Sequence, residues 1–125
     1  MARVLVVDDN PDTCELLARL LRKAGHDAIC QTSPRGALDA VAAQLPDLVI
    51  LDVMMPEMSG LDVLKAVRQD PRTAPVPVLL FTALSDDKTR AEAQRLGASS
   101  YVIKGGGWTG LEAEIQKYLG PSSLR

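Results

Sequence analysis

Residues able to bind or accept a phosphoryl group follow four short apolar runs of this 125-residue chain. Asp8 and Asp9 follow VLVV, Asp52 follows LVIL, Thr82 follows VLLF, and Lys104 follows YVI. A carboxylate is a competent nucleophile toward phosphorus, and clustered carboxylates favour a hard cation such as Mg²⁺. An ammonium and a hydroxyl would bind the phosphoryl oxygens. The pattern predicts a magnesium site that contains a nucleophile.

These residues can meet only if the apolar runs are strands of one parallel sheet. Runs of strand length alternate with stretches of helical periodicity, which is typical of five βα units covered on both faces. The predicted strands are Arg3–Val7, Asp27–Gln31, Leu48–Leu51, Val76–Phe81 and the run YVI before Lys104. The predicted helices start near Pro11, span Pro34–Ala43, Gly60–Gln69 and Asp86–Leu96, and run from about Trp108 to Leu119. The carboxyl ends of parallel strands share one edge, where the polar residues would converge.

Hydrophobic patterning adds detail to this arrangement. The second strand is the least apolar and is expected near an edge, whereas the third and fourth are expected at the centre. The fourth helix has only alanines and Leu96 as apolar surface, which predicts loose attachment. The first helix is expected to bury a stripe formed by Leu16, Leu17, Leu20, Leu21 and Ala24.

Composition excludes several classes of function. The length and the 46% hydrophobic content fit one domain, and a net charge of −2 gives no general attraction to nucleic acid or an anionic membrane. The chain has no run approaching the roughly 20 apolar residues of a membrane span, and it begins unlike a signal peptide. We therefore expect a cytoplasmic protein without direct contact to nucleic acid or membrane. Cys14 and Cys30 are expected to be reduced packing residues.

Each of these polar residues also has a purely structural interpretation. Asp8, Asp9 or Asn10 could cap the following helix, because an acid or amide there accepts hydrogen bonds from the first helical N–H groups. A lysine or threonine after a strand is often a surface or strand-end residue. Their joint occurrence at strand ends favours the chemical interpretation, since packing alone requires no such set.

Four longer motifs that contain these residues resemble those of a known protein family. LVVDDN, LVILDVMMPEMSGLDVL, LLFTALS and LGASSYVIK together resemble the receiver domain of bacterial two-component response regulators, over about Arg3 to Leu119. The resemblance implies a flavodoxin-like sheet of order 2-1-3-4-5, in which Asp52 accepts phosphate from a phosphohistidine. It also implies Mg²⁺ bound by Asp9 directly, by Asp8 through water, by Asp52, and by the backbone carbonyl of Met54.

The resemblance further implies a switch. Thr82 and Lys104 match phosphoryl-binding positions, Thr82 would move toward the phosphate, and Tyr101 would turn inward. These movements would alter the surface of the fourth helix, fifth strand and fifth helix. The implied partners are a sensor histidine kinase or histidine phosphotransfer protein, a downstream effector, and a second copy through that surface. Such a domain catalyses only its own phosphorylation and dephosphorylation.

The segment after Lys104 departs from this family. Receivers usually place a proline there, often after a cis peptide bond, whereas this chain has Gly105, Gly106 and Gly107. A non-proline cis bond costs about 2.5–4 kcal/mol, so Lys104–Gly105 is expected to be trans. The three glycines predict a mobile or rebuilt loop before the fifth helix.

Two other functions are compatible with the same residue types. Haloacid-dehalogenase-like phosphatases also use an aspartyl phosphate, Mg²⁺, a hydroxyl and a lysine, but their nucleophile lies in an early DxD and their metal acids come late. A binding module that signals without phosphate is the third alternative.

Residues 1–120 are expected to form the receiver, with residues 121–125 as a disordered tail or the start of a linker.

Overall fold

The computed structural model of the chain describes residues 2–120, in which five strands alternate with five helices. The strands are β1 (Arg3–Val7), β2 (Asp27–Gln31), β3 (Leu48–Leu51), β4 (Val78–Thr82) and β5 (Ser100–Ile103). The helices are α1 (Pro11–Lys23), α2 (Pro34–Gln44), α3 (Gly60–Gln69), α4 (Asp87–Arg95) and α5 (Gly107–Leu119). The predicted tail or linker, residues 121–125, lies outside the described residues.

The five strands form one parallel sheet in the order β2-β1-β3-β4-β5. The predicted flavodoxin-like topology is therefore confirmed. β2 lies at an edge and β3 and β4 lie inside the sheet, as the distribution of apolar residues indicated. The ends of β1 and β3 are neighbours, so Asp8 and Asp52 emerge side by side.

Alternate strand residues face two separate cores. On one face, Val4 and Val6 of β1 pack with residues of α1 and α5, including Cys14 and Leu111. On the other face, Leu5 packs with residues of α2, α3 and α4 in a second cluster. Both faces are covered by helices, and this burial keeps the central strands rigid beneath the polar residues at their ends.

Helix α1 buries Leu17, Leu21 and Ala24 of the predicted stripe, but its buried face is centred differently. Its buried residues are Cys14, Leu17, Ala18 and Leu21, whereas Leu16 is 56% exposed. The small Cys14 and Ala18 allow close approach to the sheet, and Cys14 Sγ lies 3.3 Å from the carbonyl oxygen of Val6. The expectation that Leu16 lies in the buried stripe was wrong, because Cys14 and Ala18 face the sheet and turn Leu16 toward solvent.

Two other element boundaries differ from the predictions for identifiable reasons. β4 begins at Val78 rather than Val76, because Pro77 has no N–H to donate to the sheet. α4 begins at Asp87, since Asp86 is its N-cap and accepts a hydrogen bond from the N–H of Thr89. In α4 only Ala93 is buried, which agrees with the sparse apolar surface expected of this helix.

Candidate functional site

The three acids predicted to form a metal site lie together at the carboxyl edge of the sheet. Asp8 follows β1 and Asp52 follows β3, and both are almost completely buried, with exposures of 3% and 6%. Asp9 is exposed beside them. One carboxylate oxygen from each of the three residues lies within 4.8 Å of the other two. The sheet therefore concentrates three negative charges at a point that remains accessible from solvent.

Lys104 reaches the same point from the edge strand β5. Its Nζ donates hydrogen bonds to Asp8 Oδ2 at 2.7 Å and to Asp52 Oδ2 at 3.0 Å. The backbone N–H of Lys104 also donates to the carbonyl oxygen of Thr82 at 2.8 Å, which extends the β4–β5 ladder by one residue. The ammonium thus bridges the acids that end the first and third strands.

The two carboxylates determine the charge of this lysine. Burial alone lowers the pKa of the Lys104 ammonium, but its hydrogen bonds to Asp8 and Asp52 and their negative charges outweigh that effect. The pKa of Lys104 therefore lies above its ordinary value. The side chain carries its full positive charge at neutral pH and leaves the three-acid cluster with a net negative charge.

Of the three residues that could cap α1, namely Asp8, Asp9 and Asn10, the structure shows Asn10 in that role. Its side-chain oxygen accepts hydrogen bonds from the N–H groups of Asp12 at 2.9 Å and Thr13 at 3.3 Å. The backbone N–H of Asn10 donates to Asp8 Oδ1 at 3.0 Å. Because Asn10 accepts from the first helical N–H groups, the carboxylates of Asp8 and Asp9 are not required as helix caps.

The loop after β3 orients the carboxylate of Asp52. The N–H of Met54 donates to Asp52 Oδ1 at 3.2 Å, while Lys104 holds the other oxygen. Met54, whose backbone carbonyl is the predicted ligand, is itself 56% exposed. Both oxygens of Asp52 therefore have a defined partner.

Two residues that position this loop were missed by the sequence analysis. A Cβ atom on Gly60 would lie 2.0 Å from the carbonyl oxygen of Asp52, so only glycine permits this close packing of α3. Ser59 caps α3 in a capping box with Asp62 and also donates to the carbonyl oxygen of Val53 at 3.3 Å. The signal was present in the sequence as Ser59-Gly60-Leu61-Asp62 directly before an apolar helix.

Thr82 and Tyr101 lie on the side of the site formed by β4 and β5. Thr82 is completely buried at the end of β4, and its Oγ1 accepts a hydrogen bond from the N–H of Leu84 at 3.3 Å. Tyr101 is half-buried on β5, and its hydroxyl donates to the carbonyl oxygen of Leu84 at 2.8 Å. The guanidinium of Arg90 lies 4.8 Å from the centre of the Tyr101 ring. The loop at Leu84 thus connects the two residues.

The backbone after Lys104 takes an unusual path. Every peptide bond between described residues is trans, including Lys104–Gly105, as predicted. Gly105 and Gly107 have φ angles of 103° and 78°, which are conformations that other residues rarely adopt. The positive φ angles show why glycine suits these two positions, and the mobile or rebuilt loop stays a prediction.

The donor set fits a hard divalent cation. All the ligand atoms that the cluster offers are carboxylate oxygens, which Mg²⁺ prefers, and one ammonium does not neutralise three carboxylates. Cys14 and Cys30 are free thiols that belong to the core on one face of the sheet, as expected of reduced packing residues. Within residues 2–120, none of the helices combines the length and apolar character needed to cross a bilayer.

The sequence also matches known proteins. The pattern of the response regulator receiver domain matches residues 4–116. The transcriptional regulatory protein ZraR of Escherichia coli strain K12 is 40% identical over 116 residues, which cover 93% of this chain and 26% of ZraR. Other matched transcriptional regulators are covered over 43% of their length, so this chain spans less than half of such proteins.

Solved structures extend the comparison to the fold. Chemotaxis protein CheY4 of Vibrio cholerae superposes with a TM-score of 0.89 at 29% identity, over 94% of this chain and 98% of CheY4. The BeF3-activated N-terminal receiver domain of RstA from Klebsiella pneumoniae gives a TM-score of 0.86 at 28% identity, over 94% and 97% of the two chains. Fold, sequence pattern and relatives agree, and the chain belongs to the response regulator receiver domain family, the phosphoacceptors of two-component systems.

Proposed function

We propose that Asp52 is the phosphoacceptor of this domain and receives its phosphoryl group from a phosphohistidine of a sensor histidine kinase or histidine phosphotransfer protein. The observation that carries the proposal is the bridge from Lys104 Nζ to Asp8 and Asp52, beside Asp9. The ammonium is thus hydrogen-bonded to the proposed nucleophile and to one of the acids, and the three acids offer oxygens within 4.8 Å of one another.

The chain's own residues account for the transfer step. Met54 and Lys104 each hold one oxygen of Asp52, which orients the carboxylate toward the incoming phosphorus. A carboxylate oxygen forms a bond to phosphorus as the phosphorus–nitrogen bond of the donor breaks, and the electron pair leaves with the donor imidazole. The product is an aspartyl phosphate on Asp52 and a dephosphorylated histidine on the partner.

Lys104 stabilises the charge that moves onto Asp52. A unit positive charge 4 Å from a unit negative charge is worth about 4 kcal/mol at an effective dielectric constant near 20, against about 1 kcal/mol in water. Only 26% of the Lys104 side chain is exposed, so its charge interacts more strongly with the site than it would in water. As the new bond forms, the Lys104 ammonium would leave Asp52 Oδ2 and donate to a phosphoryl oxygen. Thr82 Oγ1 would donate to a second phosphoryl oxygen.

Mg²⁺ is proposed as the cofactor, held by the carboxylates of Asp8, Asp9 and Asp52 and by the backbone carbonyl of Met54. When bound, it would supply positive charge that allows the anionic phosphoryl donor to approach the acids. The same charge is needed for removal of the phosphoryl group by water. The domain would therefore catalyse its own phosphorylation and dephosphorylation and no other reaction.

The proposed output is a change in the surface formed by α4, β5 and α5. Leu84 accepts from the hydroxyl of Tyr101 and donates to Thr82 Oγ1, so a movement of Thr82 toward phosphate would be transmitted to Tyr101. A downstream effector protein or domain, or a second copy of the chain, would recognise the altered surface. Sensor kinases phosphorylate their regulators in the cytoplasm, which is the location we propose for this domain.

Incubation with Mg²⁺ and either acetyl phosphate or phosphoramidate tests the proposal. Intact-mass measurement should find one added phosphoryl group per chain, and Trp108 fluorescence should change, because Trp108 lies in the first turn of α5 near Lys104. Asp52→Ala should abolish the addition. Asp12→Ala is the matched control, since Asp12 is an exposed acid on the adjacent first turn of α1. Absence of the phosphoryl group, or its persistence in Asp52→Ala, would overturn the assignment.

A further inference from the structure

We propose that Gly105 and Gly107 are positioning residues for Lys104, because their left-handed backbone conformations let the lysine ammonium stay against Asp8 and Asp52. The inference rests on the function proposed above and adds a requirement specific to this chain.

The loop is short and is fixed at both ends. On one side, Ile103 ends β5 and the N–H of Lys104 still donates to the carbonyl oxygen of Thr82 at 2.8 Å. On the other side, α5 begins at Gly107 and is anchored in the core by Leu111 and Ile115. Only three residues, 104–106, connect the strand to the helix, so the backbone has few ways to make the turn.

The glycines are required by backbone conformation and not by lack of space. The φ angles are 103° at Gly105 and 78° at Gly107, whereas Gly106 has a φ of −82°. A Cβ atom at Gly105 or Gly107 would meet no atom within 4 Å. An L-residue at either position would therefore be strained only because the left-handed region is unfavourable for it.

The lysine end of the loop yields more readily than the helix end. Leu111 and Ile115 are buried to within 3% exposure, and moving them would disturb the core that α5 shares with α1. Lys104 lies at the rim, and its side chain is held there by its two carboxylate partners. Strain introduced at residue 105 or 107 should therefore displace Lys104 from Asp8 and Asp52.

The initial rate of phosphorylation by acetyl phosphate with Mg²⁺ tests this requirement. Gly105→Ala and Gly107→Ala should slow the reaction about 5- to 30-fold, the range expected from one strained residue. Gly106→Ala is the matched control and should change the rate by no more than about two-fold, because its φ is ordinary and its Cβ would lie 3.9 Å from the nearest atom, the carbonyl oxygen of Ile103. Gly105→Asn should retain more activity than Gly105→Ala, since asparagine tolerates positive φ better.

A double-mutant cycle with Lys104→Gln separates positioning from general destabilisation. If Gly105 acts through Lys104, Gly105→Ala should have little further effect on the rate once Lys104 is replaced. An equal slowing in both backgrounds, or an equal effect of Gly105→Ala and Gly106→Ala, would overturn the inference.

The same cycle can be measured as urea unfolding without any phosphorylation. The effects of Gly105→Ala and Lys104→Gln on stability should then be non-additive, because both remove the contacts of Lys104 with Asp8 and Asp52. Additive effects would contradict the inference even if the protein accepted no phosphate. A wild-type protein that accepts no phosphate but shows non-additive unfolding would count against the proposed function alone.

Discussion

The backbone N–H of Asn10 donates to the carboxylate of Asp8 at 3.0 Å, while the side chain of Asn10 caps α1. One residue therefore ties the buried acid to the start of the helix. Asn10→Ala should lower the free energy of unfolding by about 1 kcal/mol, the usual contribution of an N-cap, as measured by urea titration.

Asn10→Ser is the control for this prediction, since serine also caps helices well and should restore most of the stability. Asp9→Ala should leave the cap intact because Asp9 does not accept from α1 in the described structure. A larger loss of stability in Asp9→Ala than in Asn10→Ala would contradict the assignment of the cap.

Replacing Lys104 should destabilise the metal-free protein. Lys104→Gln leaves Asp8 and Asp52 buried without their positive partner, and removing one member of a fully buried ion pair costs about 3–5 kcal/mol. Because 26% of the Lys104 side chain is exposed, we expect a smaller loss, about 1–3 kcal/mol. Urea unfolding without divalent cations measures it, and added Mg²⁺ should recover part of the loss.

Lys117→Gln provides the comparison for Lys104→Gln. Lys117 pairs with Glu114 on α5, but 63% of its side chain is exposed. Such surface pairs contribute about 0–1 kcal/mol. Equal losses of stability in the two variants would indicate that the bridge to Asp8 and Asp52 has no special stabilising role.

Mg²⁺ should raise the unfolding temperature in proportion to the logarithm of its concentration once the site is nearly saturated. At a free concentration 100 times the dissociation constant, ligand binding adds about 2.7 kcal/mol to the free energy of unfolding. Asp9→Asn removes one charge from the three-acid cluster and should weaken the effect. Asp12→Asn, which changes an exposed acid outside the cluster, should leave it unchanged.

The residues that converge at the sheet edge could be predicted because each of them directly follows an apolar run of strand length. The uninterrupted apolar run Leu48–Leu51 indicates a central strand, and the residue after it, Asp52, must then lie at the carboxyl edge. The same reasoning located Asp8 and Lys104. Strand order itself followed from the family resemblance and agreed with the apolar pattern.

Contacts between distant segments could not be predicted from these patterns. Leu16 is exposed because Cys14 and Ala18 face the sheet, a rotation of α1 that depends on close packing against Val6. The contact of Tyr101 with Leu84 depends on how the loop after β4 folds over β5. The periodicity of apolar residues within one element carries no information about either contact.

Tyr101→Phe should loosen the connection between β5 and the loop after β4. The change removes the hydrogen bond to the carbonyl oxygen of Leu84 but keeps the ring beneath Arg90. We expect a loss of about 1 kcal/mol in the free energy of unfolding. Amide hydrogen exchange should also become faster in the loop around Leu84. Unchanged exchange there would show that the hydroxyl does not order the loop.

The thiol of Cys14 should make the stability of the protein fall at alkaline pH. Burial, followed by interaction with the thiol of Cys30, raises the pKa of Cys14 from its ordinary value of 9.0 to about 12. Between these values the unfolded chain releases the proton while the folded protein retains it. The stabilising contribution is therefore complete below pH 9.0 and is lost as the pH rises toward 12.

Cys14→Ala allows this contribution to be isolated from the other groups that titrate at high pH. The difference in unfolding free energy between wild type and Cys14→Ala should be constant below pH 9.0. Above pH 9.0, the unfolding free energy of the wild type should fall relative to that of Cys14→Ala by about 1.4 kcal/mol per pH unit. Urea titrations on both sides of that pH measure the slope. A difference that stays constant throughout would mean that the thiol ionises as readily in the folded protein as in the unfolded chain.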